Sequence, residues 1–458
     1  MEKLLGDQLP SDSAVPDGGS SQQQTTSRPS PSTETPIAPE NQIHPRIPET
    51  LSVMPCTKET SNPGSDLSVA FRAHDHREID LSTVGKYTTD YLGRSLWLQA
   101  SPELGPFSLP NLRQLPTKAV ALELVKETFS SYIKFLPLFD EEDFLNEFEV
   151  KYAISNPGDP GWWACINVVL SIAQRLRALR TSDPTHANAQ ARDYFQSAMA
   201  VVSELIISHN SLSAVQALVG MASILQGTSN PEPSSVLIGA ALRLAQNMNL
   251  HRECSNSDLS ASQAENRRRV FWIAYILDKD ISLRMKRPFS QDDDDMDVQL
   301  PSRTHCETPE HEIESCAVNL LNYRIGLAVI QGQVYKQLYS LQAKRQAEPQ
   351  RTAAAQELNS SLSYWRSITQ PELPEESLTL SECRLTTEVI HKMVLRLTYV
   401  HCLAMIDCHL PPMASSVSHQ DPTEPEPLLP SESASLVESR KAIRLLELIP
   451  HEDCACIW

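Results

Sequence analysis

Residues 262–301, SQAENRRRVFWIAYILDKDISLRMKRPFSQDDDDMDVQLP, decide how the rest of the chain is read. Ser262 and Glu265 stand three apart, the spacing of a capping box at a helix start. From Val270 to Leu277 every residue is apolar or aromatic (Val270, Phe271, Trp272, Ile273, Ala274, Tyr275, Ile276, Leu277). A helix without a polar face belongs inside a protein. The helical pattern ends at Pro288, because the residue before a proline is pushed out of the α region. A run of aspartates, residues 292–295, follows, and the chain leaves through Val298, Leu300 and Pro301. On its own this is a buried helix with a basic start and an acidic exit loop.

The same residues carry a resemblance. Arg267-Arg268-Arg269-Val270-Phe271-Trp272, Tyr275-Ile276-Leu277-Asp278, Ser282-Leu283-Arg284, Arg287-Pro288 and residues 294–301 resemble the signature of the fungal-specific transcription factor regulatory domain. That domain is the middle homology region found C-terminal to zinc binuclear cluster DNA-binding domains. A second block, residues 212–253, LSAVQALVGMASILQGTSNPEPSSVLIGAALRLAQNMNLHRE, supports it. A third runs from Tyr132 through Pro137-Leu138-Phe139 to Phe144. The resemblance implies an all-α regulatory domain over roughly residues 118–458, modulated by a small ligand, a partner or dimerisation. Two residues depart from the family's pattern, which has glycine at both places. Lys286 argues against a left-handed turn residue, whereas Asn249 tolerates that conformation at a helix C-terminus.

Elsewhere the 458 residues divide by composition. Prolines number 33 against 14 glycines, and they cluster. Residues 1–65 are a low-complexity tail, expected to be disordered because such text cannot bury enough apolar surface to offset chain entropy. No apolar segment follows Lys3, so a secretory signal is not expected. No run reaches the ~18 apolar residues of a membrane span, and the chain reads as soluble, without a membrane partner. Residues 66–117 read as a partly ordered lead-in. From 118 onward helices are expected at Val125 to Leu136, from Asp140, at 162–179, 187–207, 213–225, 234–248, 312–346, 353–367, 383–408 and 435–449. They make a compact helical array without a fixed-period repeat. Residues 411–431, rich in proline and acid, read as a disordered insertion. Apolar residues at the end, Cys456-Ile457-Trp458, suggest a domain cut short.

Ten cysteines are present, but no two form a CxxC pair, so the zinc binuclear cluster of the family is not encoded in these residues. Zinc would enter only with a cysteine cluster N-terminal to them. His401-Cys402 and Cys408-His409 are the densest candidates. Seven residues along a helix span about 10.5 Å, too far for ligands that converge at about 2 Å from one ion. Asp293-Asp294-x-x-Asp297 matches the DDxxD pattern of all-α prenyl-diphosphate enzymes, but it lies between Pro288 and Pro301 in a loop rather than on a helix face. A solvated loop or local cap is the simpler reading. Asp278 and Asp280 flank Lys279 and read as a polar edge with internal ion pairs rather than an acid/base set. No GxSxG, P-loop, GxGxxG or HExxH occurs. No catalytic, cofactor-binding or metal residue is therefore expected, and the chain does not read as an enzyme.

The formal charge of −18 opposes a surface that must neutralise phosphates. Arg267, Arg268 and Arg269, and likewise Arg175, Arg177 and Arg180, read as paired or solvated helix faces. The expectation is a nuclear transcription regulator of a fungal metabolic pathway or gene cluster. Its DNA contact is lost, supplied by a partner, or encoded upstream, with homodimers or heterodimers with zinc-cluster factors as implied assemblies. The alternatives are an adaptor or dominant-negative partner of such factors, or a Mg-dependent prenyl-diphosphate enzyme.

Overall fold

One long helix, Ala261–Met285, carries most of the signature stretch. The computed structural model describes residues 114–152, 159–181, 183–208, 210–226, 230–253, 259–302, 309–369, 386–411 and 434–446. The chain divides into two units, residues 1–82 and 83–458, and every described residue belongs to the second. The expected tail, most of the lead-in, the 411–431 insertion beyond Pro411 and the C-terminal residues lie outside the described residues.

In chain order the helices are α1 (Lys118–Thr128), α2 (Glu141–Lys151), α3 (Pro160–Ala178), α4 (Thr185–Met199), α5 (Val202–Ser208), α6 (Leu212–Gln226) and α7 (Glu232–Asn247). They continue as α8 (Ala261–Met285), α9 (Pro309–Val334), α10 (Leu341–Lys344), α11 (Glu348–Thr369), α12 (Thr387–Asp407) and α13 (Ala434–Leu446). No strand occurs among the described residues, so the chain is all-α as expected. Two π-helical turns extend α1 and α9, at Phe129–Ile133 and Tyr335–Tyr339.

Packing follows chain order. α3 lies between α1, α4 and α6, and α6 packs on α7 and α8. α8 then meets α9, and α9 meets α11 and α12. Helices in this interior are apolar nearly all round, as burial between several neighbours requires. Every residue from Ala214 to Gln226 is buried, and so is every residue from Val270 to Leu283. A second apolar cluster joins α9, α11 and α12 through Leu327, Ile330, Leu358, Trp365, Leu395 and Ile406. α12 is long and apolar enough to cross a membrane by composition, yet 56% of that stretch is buried inside the fold. Packing against α9, α11 and α13 accounts for its apolar character.

Several local expectations are corrected. The capping box at the start of α8 uses Ser260 and Gln263, not Ser262 and Glu265. Both pairs fit the spacing, but Glu265 is drawn into ion pairs with Arg268 and Arg269. Lys286 adopts the left-handed conformation, φ 52°, that its side chain argued against. Its N–H reaches the Leu283 carbonyl at 3.1 Å and the Arg287 N–H reaches Ser282 at 2.9 Å, a complete Schellman motif. Asn249, φ 55°, ends α7 in the same way, as expected. The single helix expected over 187–207 is two, α4 and α5, broken at Ala200 and Val201. The helix expected over 312–346 breaks at Ser340, whose hydroxyl caps the Ala343 N–H and starts α10.

Candidate functional site

The residues of the signature stretch meet in a buried polar clasp. Trp272, Tyr275, Asp278 and Lys279 recur at the three-to-four spacing that puts side chains on one helix face. All four hold the loop that follows α8. Trp272 donates its indole N–H to the Gln299 carbonyl at 2.8 Å, and the Tyr275 hydroxyl donates to Asp293 Oδ1 at 2.8 Å. The Asp278 carboxylate accepts the backbone N–H groups of Ser290 at 2.9 Å and Gln291 at 3.1 Å. Lys279 Nζ donates to the Gln291 carbonyl at 2.6 Å and pairs with Asp293 at 2.8 Å.

Lys279 is fully enclosed. Its ammonium sits 3.3 Å from the Phe289 ring centroid and 4.8 Å from that of Tyr275, close enough for cation–π attraction. A Cβ on Gly332 of α9 would lie 3.3 Å from the lysine stem, so glycine makes room there. Burial lowers the Lys279 pKa and Asp293 opposes the shift. Burial raises that of Asp278, and the two backbone N–H groups pull it back. Asp278, Lys279 and Asp280 are thus interior groups, not the polar edge read from sequence. The reason is that their partners come from the loop and from α6 and α9, which no local pattern reveals. Asp280 accepts the amides of Gln226 of α6 at 2.6 Å and Gln331 of α9 at 3.1 Å, and it pairs with Arg284 at 3.2 Å.

A second set of contacts ties the blocks together at the helix ends. The Asp297 N–H donates to the His251 carbonyl at 3.1 Å, and the Glu253 N–H donates to Asp297 Oδ1 at 2.9 Å. The Glu253 carboxylate takes the Gln299 N–H at 3.2 Å and is gripped by Arg268. That hydrogen bond from Arg268 holds the Glu253 carboxyl below the usual glutamate range. Arg267 donates to the Met248 carbonyl at the end of α7, and Arg269 pairs with Glu265. The basic cluster is therefore a set of paired groups. Arg177 and Arg180 likewise pair with Glu127 of α1. Arg175 departs from its expected surface place: it is buried, donating to the Ile224 carbonyl. The third block joins through Gln216, whose amide donates to the Leu138 carbonyl at 2.8 Å.

The aspartate run does not converge on a metal. Asp292 caps the turn of Asp293–Asp295 and pairs with Lys336 at 2.6 Å. Asp293 faces Lys279, while the side chain of Asp294 is 91% exposed. Cys402 is buried in α12, Cys408 is exposed, and His409 lies against the Tyr339 ring. No group of three His, Cys, Asp or Glu residues that could hold a metal occurs among the described residues. Sequence reasoning missed Gln226, Gln331 and Gly332, and it missed a buried cluster around Arg324. The one available signal for that cluster was a lone arginine in the apolar text Leu320-Leu321-Asn322-Tyr323-Arg324-Ile325.

Comparison with known proteins fits this geometry. The profile of the fungal specific transcription factor domain matches residues 125–367, which include all three blocks. An ABC-transporter-regulating transcription factor of Aspergillus oryzae is 35% identical over 90% of this chain and 48% of its own length. A protein of the same description from Aspergillus fumigatus is 36% identical over 80% of this chain and 42% of its own. The Fusaridione A cluster transcription factor of Fusarium heterosporum is 32% identical over 61% of this chain and 54% of its own. The chain spans about half the length of these curated relatives. No solved structure matches it. With the family profile spanning more than half of the chain and the signature blocks joined in one clasp, this chain belongs to the fungal-specific transcription factor domain family.

Proposed function

We infer that this chain is the regulatory part of a nuclear transcription factor that reads DNA through a module outside these residues, in a longer protein or on a partner. The observation that carries the reading is the clasp, which coincides with the matched family domain and is occupied by holding contacts rather than by reactive groups. Charge supports it: a chain at −18 suits basic protein partners better than phosphate. Relatives named for regulating ABC transporters and for the Fusaridione A cluster favour target genes of a transporter or a metabolic gene cluster. No catalysis is assigned to the chain.

Fusing the chain to an unrelated DNA-binding domain and reading a reporter gene in a filamentous fungus tests this. Reporter output should depart from that of the DNA-binding domain alone, and the fusion should reach the nucleus. Unchanged output together with exclusion from chromatin would overturn the reading.

A further inference from the structure

Among the described residues, Arg324 is a buried cation without a paired acid. It lies in α9 with 8% of its surface exposed. Its guanidinium makes one hydrogen-bond contact among the described residues, from Nη1 to His391 Nδ1 at 3.5 Å, the outer limit for such a bond. A guanidinium offers about five N–H donors in a fork, so most of this fork finds no acceptor among the described residues. Asp280 is the acid whose charge reaches Arg324, but its oxygens are taken by Gln226, Gln331 and Arg284. Natural folds rarely leave a buried charge in this state, because desolvation is costly without a paired anion.

His391 of α12 presents a second unused donor. Its Nδ1 faces Arg324, which puts the proton of the neutral ring on Nε2, and Nε2 makes no hydrogen bond among the described residues. Burial and the neighbouring Arg324 hold the imidazole pKa well below its ordinary value. The Tyr132 carbonyl beside the ring draws it back upward. The Tyr132 and Phe135 rings pack on the imidazole at 4.9 Å and 5.7 Å between centroids. Tyr132 sits in the π-helical turn after α1, and its hydroxyl, beside Ser223, is kept protonated by burial. Such π turns recur at functional sites because they re-aim one side chain out of helical register.

We propose that Arg324, His391 and Tyr132 form a buried subsite for the carboxylate of a small organic acid. The donors present supply one positive charge in a planar fork, and that geometry matches a carboxylate edge. A doubly charged phosphate fits less well, since a single cation would face it with Asp280 nearby. The subsite rests on these side chains and not on the regulatory reading. Under that reading it is where an acid effector would act, because α1, α9 and α12 all contribute to it and a bound anion would draw them together.

Titration calorimetry on the full chain tests the proposal, with sodium formate, acetate and benzoate as probes and sodium chloride and benzamide as controls. At least one carboxylate should bind saturably, with one molecule per chain, while benzamide and chloride do not. Arg324→Leu should weaken that binding at least about tenfold, as loss of one partner of a desolvated charge pair does. Its unliganded thermal midpoint should equal or exceed the wild-type value, because an unpaired buried charge is gone. Should Arg324→Leu fail to fold, the wild-type comparison of benzoate with benzamide and a His391→Phe variant carry the same test. Absence of saturation by all three carboxylates into tens of millimolar would overturn the proposal. So would equal binding of benzamide, or undiminished binding by Arg324→Leu.

Discussion

Lys279 and Asp293 face each other at 2.8 Å across the junction of α8 and its exit loop, and the lysine side chain is completely buried. The pair sits where the helix, the loop and α9 meet, so the loop cannot leave without exposing an interior ammonium. Lys279→Met should therefore destabilise the domain by about 3–5 kcal/mol, the range for removing one partner of a buried pair. Urea unfolding of wild type and variant measures it. Hydrogen exchange at Ser290 and Gln291 should rise in parallel, since the same loop is released. A loss below about 1 kcal/mol would show that Phe289 and the Asp278 contacts hold the loop unaided.

Lys286 holds a left-handed conformation in which a non-glycine residue costs about 1 kcal/mol. Its ammonium also lies 5.4 Å from the Tyr339 ring centroid. Lys286→Ala keeps the strain and loses the ring contact, whereas Lys286→Gly relieves the strain. The glycine variant should exceed the alanine variant in stability by about 1 kcal/mol. Equal unfolding midpoints for the two would contradict the assigned backbone geometry.

Glu253, gripped by Arg268, has its pKa drawn below the ordinary 4.5. A depressed carboxylate stabilises the fold fully above its unfolded value, and that contribution disappears as pH falls through the lower folded value. Stability should thus decline as pH drops below about 4.5. Glu253→Gln should flatten this acid limb while lowering stability at neutral pH. A variant whose pH profile runs parallel to wild type would remove Glu253 as a source of the limb.

Gly220 of α6 faces Val168 of α3 so closely that an added Cβ would stand 2.7 Å from Val168 Cγ1. Gly220→Ala should cost about 1–3 kcal/mol through overpacking. Val168→Ala in the same chain should recover part of that loss, a coupling that a double-mutant cycle reads directly. Additive effects would mean that α6 shifts as a body rather than clashing with this valine.

Much of the framework was legible because helix periodicity is local. The apolar run at residues 270–277 identified an interior helix, and each of those residues is indeed buried. The three blocks carrying the resemblance were recognisable one at a time. That Glu253 and Arg268 would join two of them, or Gln216 and Leu138 the third, could not be read from their spacing. Such pairs form between residues far apart in the chain. The capping box was misplaced for a related reason: two pairs fitted the local rule, and the choice between them lay with Arg268, Arg269 and Ser302, which hold Glu265.

By itself, the sequence determined an all-α chain, its family and the absence of a CxxC pair in these residues. Those conclusions need only residue type and spacing along the backbone. Tertiary structure alone decided that Asp278, Lys279 and Asp280 are interior groups, that Lys286 turns left-handed, and that the buried Arg324 meets His391. Burial and pairing of charge depend on what arrives from distant helices, and the dielectric that makes a charge costly exists only once they have packed.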